Sequence, residues 1–217
     1  MTSYDAIIFD LDGTLWNACA ATASGWNKAL AILGIDKRVS QEEVKSVTGR
    51  PIAECLRLLF PEEHALRLPL LEETLPSYER EAIEAEGGVL YEGVEEGLRR
   101  LHKVRGLYIV SNCQDWYLHL FLKQSGLDNY FKEWDCHGMS GVTKGQMLAN
   151  MKERHRLASA LYIGDTAGDQ AAAREASVAF AHVSYGFGAP SAPCPSLPSF
   201  DHVVSFVLPD GGVSAVS

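Results

Sequence analysis

The chain has 217 residues, of which 47% are apolar and 22% charged, and its formal net charge is −9. At about 150 residues per domain this allows one large domain, or one domain carrying a smaller one, with length enough to bury a core without staples. The acidity makes nucleic acid and anionic lipid poor partners; no apolar run approaches the ~20 residues of a membrane span, and no basic region precedes the first apolar segment as in a secretory signal.

The five cysteines, Cys19, Cys55, Cys113, Cys136 and Cys194, are scattered, and no pair has C-x-x-C spacing. Reduced thiols in a cytoplasmic protein fit best.

In chain order, the first element is a buried strand, Ala6-Ile7-Ile8-Phe9, running into Asp10-Leu11-Asp12-Gly13-Thr14. From Trp16 to Gly87 no strand pattern follows. Helical periods appear instead, at Trp26, Ala29, Leu30 and Leu33, then Ile52, Leu56, Leu59 and Phe60, then Leu75, Tyr78 and Ala82, punctuated by Gly34, Pro61 and Gly87-Gly88. An insert of about 70 residues is too long for a strand-to-helix loop and is expected to form a small helical domain over the sheet's C-terminal edge. Val94, Leu98 and Leu101 predict a helix before the second strand, Leu107-Tyr108-Ile109-Val110, which ends in Ser111-Asn112. Tyr117, Leu118, Phe121 and Leu122 predict the next helix, with Gly126 as its stop. Met147, Leu148 and Met151 precede a third strand, Leu161-Tyr162-Ile163, ending in Gly164-Asp165-Thr166; an alanine-rich helix, Gln170 to Ala176, then leads to a fourth, Val178-Ala179-Phe180-Ala181. Ser184 to Ser199, with four of the nine prolines, reads as a surface loop, Val203-Val204 as a short final strand, and Gly211 to Ser217 as a frayed end.

Continuous apolar strands alternating with helices imply a parallel sheet covered on both faces. The expected fold is α/β: a doubly wound Rossmann-like core, residues 1–15 and 88–217, with a helical cap domain, 16–87, inserted after the first strand.

Ligands of such sheets bind beyond the carboxyl ends of the strands. There stand Asp10, Asp12, Ser111, Asn112 and Asp165, with Asp169 one helical turn further on and Lys144 between the second and third strands. Taken singly, each has an ordinary structural reading: a turn residue, a helix cap, a solvated lysine. Taken together, several carboxylates in one crevice call for a hard divalent cation, for which Mg²⁺ is the default, and Mg²⁺ with a lysine and a small hydroxyl makes a phosphate site. One carboxylate can then serve as nucleophile and a second as acid and base.

These residues resemble the haloacid dehalogenase superfamily. Phe9-Asp10-Leu11-Asp12-Gly13-Thr14-Leu15 is similar to its first motif, Val110-Ser111-Asn112 to its second, Thr143-Lys144-Gly145 to its third, and Gly164 to Asp169 to its fourth. The insert resembles the family's small C1-type cap, and the whole is phosphoglycolate phosphatase-like. The resemblance implies Asp10 as nucleophile and Asp12 as general acid/base. It implies Mg²⁺ held by Asp10, the Asp12 carbonyl and Asp165, with Asp169 a further ligand or a partner of Lys144. Ser111, Asn112 and Lys144 would bind the transferring phosphoryl group. Asp12 argues against a true dehalogenase. Asn17, Gly145 and Ser177 depart from common family residues without removing a catalytic group.

In Val47-Thr48-Gly49-Arg50-Pro51, Arg50 is placed to reach a substrate carboxylate or second phosphate. The expected function is a Mg²⁺-dependent phosphatase of a small phosphorylated metabolite, acting through a phospho-aspartate, in a monomer or weak homodimer. The alternatives are a phosphomutase of the β-phosphoglucomutase type and, in other classes, a signalling receiver domain or a non-catalytic binding protein on the same fold.

Overall fold

The computed structural model describes residues 4–61 and 67–209. The chain runs β1 (Ala6–Phe9), β2 (Trp16–Asn17), α1 (Cys19–Ile32), α2 (Gln41–Val47), α3 (Ile52–Leu59), α4 (Leu68–Glu86), β3 (Val89–Leu90), α5 (Val94–Leu101), β4 (Gly106–Ser111) and α6 (Asp115–Ser125). After a 3₁₀ turn at Asp128–Tyr130 come β5 (Glu133–Cys136), α7 (His137–Ser140), α8 (Lys144–Arg154), β6 (Ala160–Gly164), α9 (Ala167–Glu175), β7 (Ala179–Val183), β8 (Ser196–Leu197) and α10 (Phe200–Val207).

Six strands form one parallel sheet in the order β5-β4-β1-β6-β7-β8, with the first strand of the chain near its centre. Strand side chains alternate between its two faces. Ile7, Phe9, Leu107, Ile109, Leu161 and Ile163 pack with α5, α6 and α10 on one side. Ala6, Ile8, Tyr108, Val110 and Tyr162 pack with α8 and α9 on the other. Both faces are therefore dry, which is why these strands read as unbroken apolar runs.

Helices α1 to α4 build a cluster of their own around Trp26, Leu30, Val44, Leu56, Leu71 and Leu75. The chain enters and leaves them through an antiparallel pair, β2 and β3, with Trp16 opposite Leu90 and Asn17 opposite Val89. Trp16 anchors that ribbon, meeting Tyr117 and Phe121 edge-on at 5.6 and 5.1 Å. A Cβ on Gly88 would stand 2.5 Å from the Trp16 ring, so a glycine is required there.

The structure corrects three readings. Val203-Val204 lie in a helix, not a strand: Phe200, Val203, Val204 and Val207 are buried at helical spacing, and Ser199 caps the N-terminus by accepting from the His202 amide. β5 went unrecognised because Glu-Trp-Asp-Cys is a polar edge strand. The proline-rich segment is more than a surface loop, since it contributes β8 and its Tyr185 and Phe187 reach the sheet edge, bonding the Thr14 carbonyl and the Asp165 carboxylate. Gly211 to Ser217 lie outside the described residues.

Candidate active site

The C-terminal ends of β1, β4 and β6 converge. Asp10 follows β1 directly, Ser111 closes β4, and Asp165 follows β6; all three are buried. Lys144 is the first residue of α8, capped by Thr143, and its side chain is buried as well. Its ammonium donates to Asp10 Oδ1 at 3.0 Å and to Asp169 Oδ1 at 2.7 Å. Burial works against that charge, but Asp10 and Asp169 hold the lysine pKa above its ordinary value.

Asp169 fulfils both readings of its position. It completes a capping box with Thr166 at the start of α9, and it also receives Lys144 and the Tyr162 hydroxyl. Burial opposes its charge, yet Lys144 and the Thr166 donors hold its carboxyl below the usual range. The neighbouring acids are less well supplied. Burial and the Asp169 charge push Asp10 up to about 6, and burial with Asp169 and Asp10 pushes Asp165 up to about 8. Asp10 Oδ2 and Asp165 Oδ1 are buried without a hydrogen-bond partner.

Oxygens of Asp10, Asp165 and Asp169 lie within 4.8 Å of one another. Three carboxylates facing one ammonium leave net negative charge in a dry crevice. Two orphaned oxygens and an all-oxygen donor set fit a hard divalent cation.

Glycines make the approach possible. Gly13 turns with φ +77°, and a Cβ there would fall 2.2 Å from Asp165 Oδ2. A Cβ on Gly186 would fall 2.3 Å from Asp165 Cβ. Asp165 thus sits in a slot only bare backbone can line.

Asp12 stands apart from the three. Its Oδ1 accepts a hydrogen bond from the Tyr117 hydroxyl at 2.5 Å, and burial raises its pKa to about 7 in spite of that bond. Above it, Asn112 Nδ2 donates to the Gly49 carbonyl at 2.8 Å, tying the end of β4 to the loop between α2 and α3. Between them lies a cavity of about 80 Å³, with Asp12, Ser111 and Asn112 on one side and Trp26, Val47 and Glu79 on the other.

Arg50 does not reach down. Its Nε pairs with Glu54 Oε1 at 3.2 Å and its Nη1 donates to the Ser46 carbonyl at 3.0 Å, holding the guanidinium at the cavity's exposed rim. Pro51 is the N-cap of α3 immediately after it, which places Glu54 in that helix's first turn, where it pairs with the guanidinium.

Sequence reasoning missed two residues. Tyr117 was part of an apolar helical pattern, and its hydroxyl gave no separate signal. Glu79 lay in a Glu-rich stretch that reads as solvated. It nevertheless falls on the buried stripe of α4, with Leu68, Leu71, Leu75 and Ile83, and a charge on an apolar stripe is a signal.

Comparison with known proteins gives a match to the family described as haloacid dehalogenase-like hydrolase over residues 7–183. The chain belongs to that family. It is 30% identical over 198 residues to a phosphoglycolate phosphatase of Photobacterium profundum, covering 83% of each chain. It is 25% identical over 193 residues to a 5'-nucleotidase of Pseudomonas aeruginosa, covering 85% of each. Among solved structures, a haloacid dehalogenase-like hydrolase from Streptococcus pneumoniae superposes with a TM-score of 0.82 at 21% identity, over 95% of this chain and 99% of that one. As a hydrolase of this family the chain is an enzyme, and its parallel sheet flanked by helices is the family fold. No helix among the described residues is long and apolar enough to cross a membrane.

Proposed function

We propose that the protein is a Mg²⁺-dependent phosphatase that hydrolyses a small phosphomonoester through phospho-Asp10. The observation that carries this reading is the pair of orphaned oxygens, Asp10 Oδ2 and Asp165 Oδ1, beside a buried lysine at the sheet edge. A fold that buries unsatisfied carboxylates without a ligand loses stability for nothing.

Asp10, Asp165, Asp169 and the Asp12 carbonyl would hold the Mg²⁺, which supplies positive charge for the phosphoryl oxygens. Lys144, Ser111 and the Asn112 amide bind and orient the same group. Asp10 Oδ2 attacks the phosphorus while the ester P–O bond breaks. Asp12, neutral at this stage, gives its proton to the departing alkoxide. Water then attacks the aspartyl phosphate, Asp12 takes the water's proton, and Asp10 is released as a carboxylate with inorganic phosphate. A pKa near 7 suits a group that must give and take a proton, and Tyr117 on Oδ1 leaves Oδ2 free to carry it. Residues 16–87 act as the cap, and the Asn112–Gly49 bond is one latch that closes it over the cavity.

The test is phosphate release from p-nitrophenyl phosphate with and without Mg²⁺, for the native protein and for Asp10→Asn. The expected result is Mg²⁺-dependent release that the variant lacks while keeping its circular dichroism spectrum. Release by Asp10→Asn at the native rate overturns the phospho-aspartate route.

A further inference from the structure

Glu79 is the one carboxylate in the cavity wall that the proposed chemistry does not use. It is buried in the middle of α4, and the partners it has are neutral: Thr22 Oγ1 donates to Oε1 at 3.0 Å and Trp26 Nε1 to Oε2 at 3.1 Å, both from α1. The placement is enforced by close packing. A Cβ on Gly25 would fall 2.4 Å from the Tyr78 carbonyl oxygen and 2.7 Å from Glu79 Cα, so only glycine lets α1 meet α4 at this level. Two further bonds hold the same helices together, Ser24 to Glu86 and Lys28 to Glu81.

A leucine at this point of the stripe would pack at no electrostatic cost, whereas a buried carboxylate with only neutral donors is expensive. The side chain faces the cavity across from Asp12, whose pKa its charge raises. Arg50, the cation on the rim, is engaged by Glu54 and Ser46. The space where the organic part of a substrate would lie is therefore bounded by two acids and by the aromatic rings of Trp26, Trp116 and Tyr117.

We propose that Glu79 selects the substrate by its tail: it accepts a hydrogen bond from a hydroxyl or ammonium group on the leaving alcohol and repels a tail that ends in a carboxylate. The assignment rests on the phosphatase reading above. It separates this chain's substrate from the one in the name of the Photobacterium relative. Two donors already fix the carboxylate's orientation, and each oxygen keeps a lone pair for a donor that enters the cavity Glu79 lines. Two anions in one small dry space repel strongly, whereas a donor on the tail restores what Glu79 lost on burial.

A matched set of esters tests this: 2-hydroxyethyl phosphate, 2-aminoethyl phosphate and 2-phosphoglycolate differ only at the tail. At pH 8 the native enzyme is expected to show kcat/KM about 10- to 100-fold higher for the hydroxyl and amine tails than for the carboxylate, the range open to a buried polar contact. Glu79→Gln should bring the hydroxyl-to-carboxylate ratio within about threefold, and Trp26→Phe, which removes one donor but keeps a ring in the wall, should move it the same way by less. A native preference for 2-phosphoglycolate, or a ratio that neither variant moves, overturns the proposal. Calorimetric titration of Asp10→Asn with the three esters gives the order of affinities without turnover. If no ester is hydrolysed the phosphatase reading fails, and that affinity order still decides the role of Glu79.

Discussion

Two sets of buried acids, one at the sheet edge and one in the helical layer that walls the cavity, are built by different means. On the sheet side, Asp10, Asp165 and Asp169 are delivered by strand ends and a helix cap; Asp10 and Asp169 share one lysine, and Asp10 and Asp165 each keep an oxygen without a partner. On the helical side, Glu79 is delivered by the close approach of α1 and α4, and the two donors given above are both neutral. The first arrangement concentrates charge that another ion must balance. The second spends a single charge where a hydroxyl or ammonium could meet it. Position thus separates a group suited to phosphate chemistry from one suited to choosing which phosphate enters.

The largest break in this comparison is at Asp10. Asp10→Asn should lower kcat by at least about 1000-fold, since an amide in place of the Asp10 carboxylate removes the proposed nucleophile, whose Oδ2 is buried without a partner. Steady-state phosphate release measures it. Loss of less than tenfold would place the nucleophile elsewhere.

Lys144→Met comes next. It leaves Asp10 and Asp169 facing each other without their shared cation, and removing one member of a buried ion pair costs about 3–5 kcal/mol. Urea unfolding should show a midpoint well below native, recovered in part by millimolar Mg²⁺. A variant as stable as native would mean that the carboxylates are already neutral in the fold.

How much of this was legible in the sequence follows from the same geometry. Asp10, Ser111, Lys144, Asp165 and Asp169 could be named because strand ends and helix starts are local features, and a parallel sheet brings them to one edge. The alternating faces of β1, β4 and β6 were likewise encoded in unbroken apolar runs. Tertiary packing hid the rest. Tyr117 meets Asp12 across 105 positions of sequence, and Glu79 meets Trp26 across 53, with nothing local to announce either pairing. The two-residue strands β2 and β3 have no period to read. α10 was misread because two adjacent valines suggest a strand until Phe200 and Val207 are placed on the same face. Gly145 stood out as a departure from the family pattern; a Cβ there would meet only the carboxyl end of the exposed Glu175 side chain, which can swing away.

On the helical side, Glu79→Gln should stabilise the protein above neutral pH. The ordinary carboxyl value is 4.5 and burial raises it to about 7. Between those values the folded protein keeps a proton that the unfolded chain has released. Stability therefore falls as pH rises through that window, by about 3 kcal/mol from this group. Gln can accept from Trp26 and donate to the Thr22 hydroxyl, so it keeps the shape without the charge. Thermal melts at pH 4.5 and pH 8 should show a smaller pH-dependent loss in the variant and a higher Tm than native at pH 8. An unchanged native-to-variant difference across the two pH values would mean that Glu79 is ionised without strain, and its burial would then need no substrate to explain it.

Arg50→Ala is the smallest and the most discriminating change. Its pair with Glu54 is exposed and joins the loop before α3 to that helix's first turn, and an exposed pair contributes about 0.2–1 kcal/mol. Stability should therefore move within about 1 kcal/mol, and kcat/KM for 2-hydroxyethyl phosphate within about threefold. The comparison sharpens if the effect on 2-phosphoglycolate is equally small, because tail selection then stays with Glu79. A loss above tenfold confined to 2-phosphoglycolate would mean that the guanidinium leaves Glu54 and Ser46 to meet a carboxylate, and tail selection would pass from the buried acid on α4 to the arginine on the rim.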